Sequence, residues 1–164
     1  MVIPFDCFGH GTHVAGTIVA DARNANASQP FVGVAPKATV LMYRVFGCSG
    51  GTPDDMVVEA MAHALVDGAQ IISLSLGGIN GWSENPLGVI SNRVAQRGVF
   101  VSVAAGNEGS TGLFMASNLA VGANPLAIAS VDTIAQVAWN AFSVNRTIVR
   151  HGAIFSNALA VFLN

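Results

Sequence analysis

Two histidines near the start of the chain, His10 and His13, are the first side chains whose type and spacing could do chemistry. They lie in the run Phe8-Gly9-His10-Gly11-Thr12-His13, at the opening of a helix predicted to extend to about Ala22. A histidine fixed at a helix opening can act as a general base, because imidazole takes up and releases a proton near neutral pH. It can also be a structural, hydrogen-bonded imidazole. Cys7 and the i, i+3 histidines allow a metal site, but no second ligand cluster follows, so we predict no bound metal.

Two later segments end in glycine-rich turns. Asn107 follows the apolar run 99–105, and its amide could donate to a developing oxyanion, since the neighbouring glycines leave room for a substrate backbone. Taken alone, an asparagine in a turn is also explained by its tolerance of the left-handed conformation. The segment Ser73 to Gly78 offers a strand end to which an extended peptide could pair. Alone, it indicates only a strand followed by a turn.

The elements that must position these segments alternate between strand and helix. We predict strands over residues 39–46, 70–76, 99–105 and 126–131. Between them, helices are predicted to open at Thr52-Pro53 and at Asn85-Pro86, and to close at Gly68 and Gly98. The continuous apolar strand 99–105 is typical of a parallel sheet covered on both faces. The pattern predicts an α/β fold built from βαβ units, with functional residues at the carboxyl ends of the strands.

The composition excludes several functional classes. The chain has 164 residues with a net charge of −2, of which 52% are hydrophobic and 10% charged. These values suit a folded domain, neither a disordered segment nor a basic nucleic-acid binder, so nucleic acid is not an expected partner. Apolar runs fall short of the roughly 18 residues that cross a bilayer, so no membrane association is expected. No signal peptide is visible. Cys7 and Cys48 could form one disulfide or none.

Four segments, in this order along the chain, resemble motifs of the subtilisin-like serine proteases (subtilases, peptidase S8). They are His10-Gly11-Thr12-His13-Val14-Ala15-Gly16, Gly33-Val34-Ala35-Pro36, Ser75-Leu76-Gly77-Gly78 and Ala104-Ala105-Gly106-Asn107. The resemblance covers about residues 6–132, with 97 positions between His10 and Asn107. It implies a three-layer, mostly parallel sheet with helices on both faces, here incomplete.

The resemblance also implies a function and a set of roles. His10 would be the catalytic base, His13 structural and Asn107 the oxyanion donor of an endopeptidase acting on extended polypeptides. The substrate cleft would be lined by Ser75, Leu76, Gly77, Gly78, Ala104, Ala105 and Gly106. The segment 43–50 is most similar to secreted fungal members that carry a protease-associated insert, which implies an extracellular protein. Residues 1–132 would form a partial catalytic domain, and 133–164 a divergent tail or the start of the insert. Calcium is frequent in the family, but no site is assignable here.

Two parts of the family's catalytic triad have no counterpart in this sequence. The orienting aspartate belongs to an Asp-Thr/Ser-Gly strand end well upstream of the histidine, and Asp6 lacks that context. The nucleophile belongs to a Gly-Thr-Ser-Met-Ala segment, whereas Met115-Ala116-Ser117 has the wrong order. We therefore expect negligible peptidase activity from this chain alone. The alternative is a truncated homologue that at most binds peptides. An unrelated α/β ligand-binding domain would require Gly-x-Gly-x-x-Gly spacing, which 47–51 lacks.

Overall fold

The computed structural model describes residues 5–23 and 31–130, and the backbone of 136–144 and 147–155. In chain order the elements are α1 (His10–Val19), α2 (Asp54–Val66), β1 (Ile71–Leu74), α3 (Pro86–Gln96), β2 (Phe100–Ala104), a 3-10 turn (Gly109–Thr111), β3 (Leu126–Ile128), β4 (Gln136–Val144) and β5 (Thr147–Phe155). The chain divides into two compact units after Ile128. The predicted domain boundary after residue 132 stays a prediction.

The sheet of the first unit is parallel, with strand order β1-β2-β3. Helix α3 connects β1 to β2, which makes the predicted βαβ unit. The α/β class is therefore confirmed. Because β1 and β2 run side by side in the same direction, the segments that follow them emerge at the same edge of the sheet.

The predicted signals at the ends of α3 act as expected. The side chain of Asn85 accepts a hydrogen bond from the N–H of Leu87 at 2.9 Å, and Pro86 occupies the first helical position. The chain leaves the helix through Gly98, whose φ of 89° is costly for other residues. These local interactions explain why the sequence predicts both ends of this helix well.

Two other helix boundaries differ from the prediction. Helix α2 begins at Asp54, because Pro53 has an extended backbone and takes the capping position predicted for Thr52. Helix α1 ends at Val19 and does not reach Ala22. Its continuation is diverted into pairing with the later chain, where the N–H of Ala22 donates to the carbonyl of Phe31 at 2.9 Å.

The core lies on one face of the sheet. It combines buried residues of α2, α3, β1 and β2 with Val99 and Leu119, and its members are Val57, Met61, Ala64, Ile72, Leu87, Val94, Val99, Val101, Val103 and Leu119. On the opposite face Ile71 is 66% exposed and Phe100 is 53% exposed. Along the same face of β2, Ser102 and Ala104 are half-buried. This face of the strand is therefore covered less completely than the core face.

The segment 39–46 is not a strand, which corrects the sequence prediction. Its β-branched and aromatic residues have no regular secondary structure, and no described strand is paired with them in a ladder. Tyr43 and Val45 pack against the core, whereas Leu41 and Met42 are exposed. The residue types favour a strand, and strand formation also needs a partner.

The second unit contains the antiparallel pair β4 and β5. Their register runs from Gln136 opposite Phe155 to Val144 opposite Thr147. The sequence analysis identifies no motif in 133–164 that predicts this pairing. The fourth predicted strand, at 126–131, ends earlier than expected, at Ile128.

Candidate functional site

A cleft of about 380 Å³ lies beyond the carboxyl ends of β1 and β2. Of the residues predicted to form the site, those that line it are Ser75, Leu76, Gly77, Gly78, Ala104, Gly106 and Asn107. The two strand ends thus bring together the segments that sequence analysis treated separately. The catalytic and substrate-binding roles assigned to these residues stay predictions.

Ala105 does not line the cleft, unlike its neighbours. Its N–H donates to the carbonyl of Ile128 at 2.8 Å, and its carbonyl accepts from the N–H of Ser117 at 2.8 Å. Both of its backbone groups are therefore used to fix the turn after β2. This residue supports the cleft wall from behind.

Gly78 is held by Asn118 through two hydrogen bonds. The N–H of Gly78 donates to Oδ1 of Asn118 at 3.2 Å, and the carbonyl of Gly78 accepts from the N–H of Asn118 at 2.9 Å. Both backbone groups of Gly78 are therefore engaged within the chain. Sequence analysis missed this role of Asn118, because its partner is 40 positions away.

Gly77 packs closely against Ser117 at the cleft wall. Its φ is 144°, and a Cβ at this position would lie 2.0 Å from Oγ of Ser117. The hydroxyl of Ser117 is buried without a hydrogen-bond partner in the described part of the chain. Only glycine fits at position 77 in this backbone conformation, so this part of the cleft depends on the absence of a side chain.

Asn107 is exposed in the turn after β2, beside a carboxylate. Its N–H donates to Oε2 of Glu108 at 2.9 Å, and Glu108 also lines the cleft. The site therefore carries an acidic group next to the predicted oxyanion donor. Sequence analysis did not assign a role to Glu108.

His10 is the first residue of α1 and does not itself line the cleft. It is 9% exposed, and its ring lies 5.7 Å from that of Phe46 and 6.4 Å from that of Phe8, measured between centroids. Both phenylalanines line the cleft. Within the described residues, Nε2 of His10 is buried and has no hydrogen-bond partner. The imidazole of the predicted base is therefore mostly buried and lies near two rings of the cleft wall, whereas His13 is exposed.

Asp6 stabilises the opening of α1. Its carboxylate accepts hydrogen bonds from the Thr12 hydroxyl at 2.7 Å, the Gly9 N–H at 2.8 Å and the Thr12 N–H at 2.9 Å. These bonds, the Thr12 hydroxyl first, lower the pKa of Asp6 to about 2 from 3.8. The carboxylate satisfies N–H groups that a helix N-terminus leaves unpaired. Sequence analysis set Asp6 aside as the triad aspartate, and this bonding gives it a different role.

Cys7 and Cys48 form a disulfide with their Cα atoms 5.1 Å apart, which answers a question that the sequence left open. The bond joins the segment before His10 to the loop that follows Phe46. Two half-cystines can be counted in a sequence, but their pairing depends on the fold.

The described part of the chain holds no group of three or more His, Cys, Asp or Glu side chains that could bind a metal ion. We therefore name no calcium ligands. Nor do its helices include one whose length and apolar character would let it cross a membrane.

Comparison with known proteins identifies one family. The model of the Subtilase family, Peptidase_S8, matches residues 4–159. The match includes most of the residues 133–164, which we predict to be a divergent tail or the start of an insert. Thermitase from Thermoactinomyces vulgaris is 40% identical over 125 residues, covering 76% of this chain and 42% of thermitase.

Two further relatives show the same relationship. Subtilisin E from Bacillus subtilis is 36% identical over 107 residues, covering 65% of this chain and 26% of subtilisin E. Subtilisin-like protease SBT1.6 from Arabidopsis thaliana is 34% identical over 138 residues, covering 79% of this chain and 18% of the relative. The chain spans less than half the length of each of these three relatives.

Proposed function

The chain belongs to the subtilase family, and we propose that it supplies the general base and the oxyanion donor of a serine endopeptidase, with His10 and Asn107 in these roles. One arrangement supports this proposal above all. Asn107 lines a cleft whose wall also contains Phe8 and Phe46, the two rings that pack on His10. We assign substrate binding to Ser75–Gly78, Ala104 and Gly106, which line this cleft, and a supporting role to Ala105, whose backbone fixes their turn.

The chemistry would be acyl transfer from a peptide to a serine and then to water. Nε2 of His10, which lacks a partner among the described residues, is the atom suited to accept the proton of that serine. The amide of Asn107 would donate to the oxyanion as negative charge develops on the scissile carbonyl. An extended polypeptide would lie along residues 75–77, since Gly78 is engaged with Asn118.

We further propose that this chain alone does not hydrolyse peptides, because its sequence contains neither the aspartate segment nor the serine segment of the family. In subtilisin, itself a member of this family, removal of the serine lowers kcat about 10⁶-fold. The exposed apolar face of the sheet, with Ile71 and Phe100, supports the view that further polypeptide packs there in an active enzyme.

Two measurements test the proposal. First, a serine-directed fluorophosphonate should not label the chain alone, and stoichiometric labelling would overturn the predicted inactivity. Second, the matched region of thermitase is replaced by this chain's residues, which restores a complete triad. In this chimera we expect His10→Ala to lower kcat about 10⁶-fold and Asn107→Ala about 10²- to 10³-fold.

The matched control is His63→Ala, because His63 is an exposed histidine on α2. Its kcat should equal that of the parent chimera. A folded, active chimera that tolerates His10→Ala would refute the assignment of the base.

The second candidate function is peptide binding without catalysis, and it is supported by the missing nucleophile together with the strand end at 75–77. Calorimetric titration with an extended peptide should then give binding that Gly77→Ala abolishes, since a Cβ there meets Ser117. Equal binding by this variant and the parent chain would exclude peptide recognition at this strand end.

We also propose that the protein is extracellular and of the secreted fungal type, with 133–164 as a divergent tail or the start of a protease-associated insert. The Cys7–Cys48 disulfide supports secretion, because such bonds persist in oxidising compartments. Mass spectrometry of protein from culture medium and from cells tests this. The linked peptide should be found in the medium.

A further inference from the structure

We propose that the Cys7–Cys48 disulfide and the ring of Phe46 are positioning groups for His10, holding its imidazole in place from a segment that is anchored in the core. The inference rests on the proposed role of His10 as the general base. The placement of the ring can nevertheless be measured without any turnover.

Helix α1 has few interactions of its own that could fix His10. His10 is the only residue of this helix that is buried. The other end of the helix is held by backbone hydrogen bonds, such as the one from the N–H of Ala35 to the carbonyl of Ile18 at 2.7 Å. These bonds fix the end of α1 that is farther from His10. The Asp6 carboxylate bonds Gly9 and Thr12 and so shapes the first turn, but all three residues belong to the same short segment. Because a helix that buries so little gains little from packing, attachment of its first turn to the rest of the protein needs another restraint.

That restraint lies at the start of α1, where two segments distant in sequence meet. Cys7 is followed by Phe8, and Cys48 is preceded, two positions earlier, by Phe46. The ring of Phe46 meets the His10 ring at an angle of 85°, the edge-to-face geometry that aromatic pairs favour. The disulfide therefore keeps the ring that contacts the imidazole close to the helix that carries it.

The segment before Cys48 is in turn attached to the core. Tyr43 and Val45 pack against the core cluster, and the Tyr43 hydroxyl donates a hydrogen bond to the carboxylate of Asp67 after α2. A continuous path thus runs from the core through this segment and the disulfide to His10. Two further contacts join these segments. The Phe8 and Phe46 rings lie 5.7 Å apart between centroids, and the exposed guanidinium of Arg44 donates to the carbonyl of Phe5 at 3.2 Å.

The test compares the oxidised and reduced chain by the reactivity of its histidines. Diethyl pyrocarbonate modifies accessible imidazoles, and modification at each site is followed by mass spectrometry. Buried His10 should react slowly in the oxidised protein, whereas exposed His13 and His63 serve as controls within the same molecule. Reduction should raise the rate at His10 about tenfold or more, because the cross-link then no longer limits how far the two segments separate during local opening.

Two variants separate the disulfide from the ring. The paired change Cys7→Ser and Cys48→Ser should reproduce the effect of reduction. Phe46→Ala should raise the His10 rate with the disulfide intact, Phe46→Tyr should restore the slow rate, and exposed Phe31→Ala should leave it unchanged. Nuclear Overhauser contacts between the His10 and Phe46 rings should disappear on reduction.

Amide hydrogen exchange in α2, α3 and β2 distinguishes positioning of His10 from stabilisation of the whole fold by the disulfide. Protection there should be the same in oxidised and reduced protein. Free cysteines in the folded chain, an unchanged His10 rate on reduction, or loss of protection throughout the core would each overturn the inference. If the His10 ring behaves as expected while the chimera tolerates His10→Ala, the proposed function fails and the positioning stands. If instead His10→Ala inactivates the chimera while the His10 rate is unchanged on reduction, the proposed function stands and the positioning fails.

Discussion

Replacement of Ser91 by alanine should destabilise the turn that supports the cleft wall. Ser91 is 0% exposed on α3, and its hydroxyl lies 2.9 Å from the carbonyl of Gly88 and 3.0 Å from that of Leu119. One hydroxyl proton can serve only one carbonyl at a time. The Gly88 carbonyl lies within the helix, whereas that of Leu119 lies in the turn after Ser117 and Asn118.

Ser91→Ala therefore leaves the Leu119 carbonyl buried without this donor. Loss of a buried hydrogen bond that strands one partner costs about 1–3 kcal/mol, whereas the change in volume is small. We expect the free energy of unfolding to fall by that amount. Urea unfolding followed by circular dichroism at 222 nm measures it, with an unchanged dependence on denaturant.

Exposed Ser49→Ala is the matched control and should change the stability by less than about 0.5 kcal/mol. Equal stabilities of the two variants, with equal denaturant dependence, would refute the reasoning. They would mean that the Leu119 carbonyl does not depend on Ser91.

Three further perturbations test the helix opening, one close backbone contact and the core. Because the folded pKa of Asp6 is about 2, below its usual 3.8, its stabilisation is present above pH 3.8 and lost as pH falls through 2. The difference in the free energy of unfolding between the parent chain and Asp6→Asn, measured in urea at several pH values, should therefore vanish at the lowest pH. Gly33→Ala places a Cβ 2.6 Å from the backbone of α1 and should cost about 1–3 kcal/mol, unlike Gly47→Ala, which meets nothing within 4 Å. Met61→Ala, at 1% exposure, should cost about 2–5 kcal/mol, and exposed Met56→Ala much less, in the same urea assay.

The elements that the sequence predicts best are those whose ends depend on neighbouring residues. Asn85, Pro86 and Gly98 delimit α3 through interactions within a few positions, so a pattern of residue types suffices. The strand predicted at 39–46 requires a partner strand, and residue types carry no information on whether one is present. Its lack of strand structure follows from the described surroundings, in which no strand is paired with it.

The site divides in the same way. The sequence predicts that residues 75–78 and 104–107 lie close together. The reason is that they follow parallel strands, whose carboxyl ends share one edge of the sheet. Phe46 and Asn118 could not be assigned to the site in advance, since their partners lie far away in the sequence. The disulfide is an intermediate case, in which both cysteines are visible but their pairing is decided by the fold.

The two proposed chemical groups therefore have different physical support. Asn107 follows a strand that is paired on both sides and contributes Val101 and Val103 to the core, so the stability of the sheet itself holds its turn. His10 lies on a helix whose other residues are at least partly exposed. The Asp6 bonds shape its first turn, and in our proposal a disulfide and aromatic rings attach that turn to the core. Mild reduction should thus disturb the base before it disturbs the oxyanion donor. Catalysis would need both the His10 imidazole and the Asn107 amide in their correct positions. The site is therefore lost as soon as the less firmly held of the two groups moves.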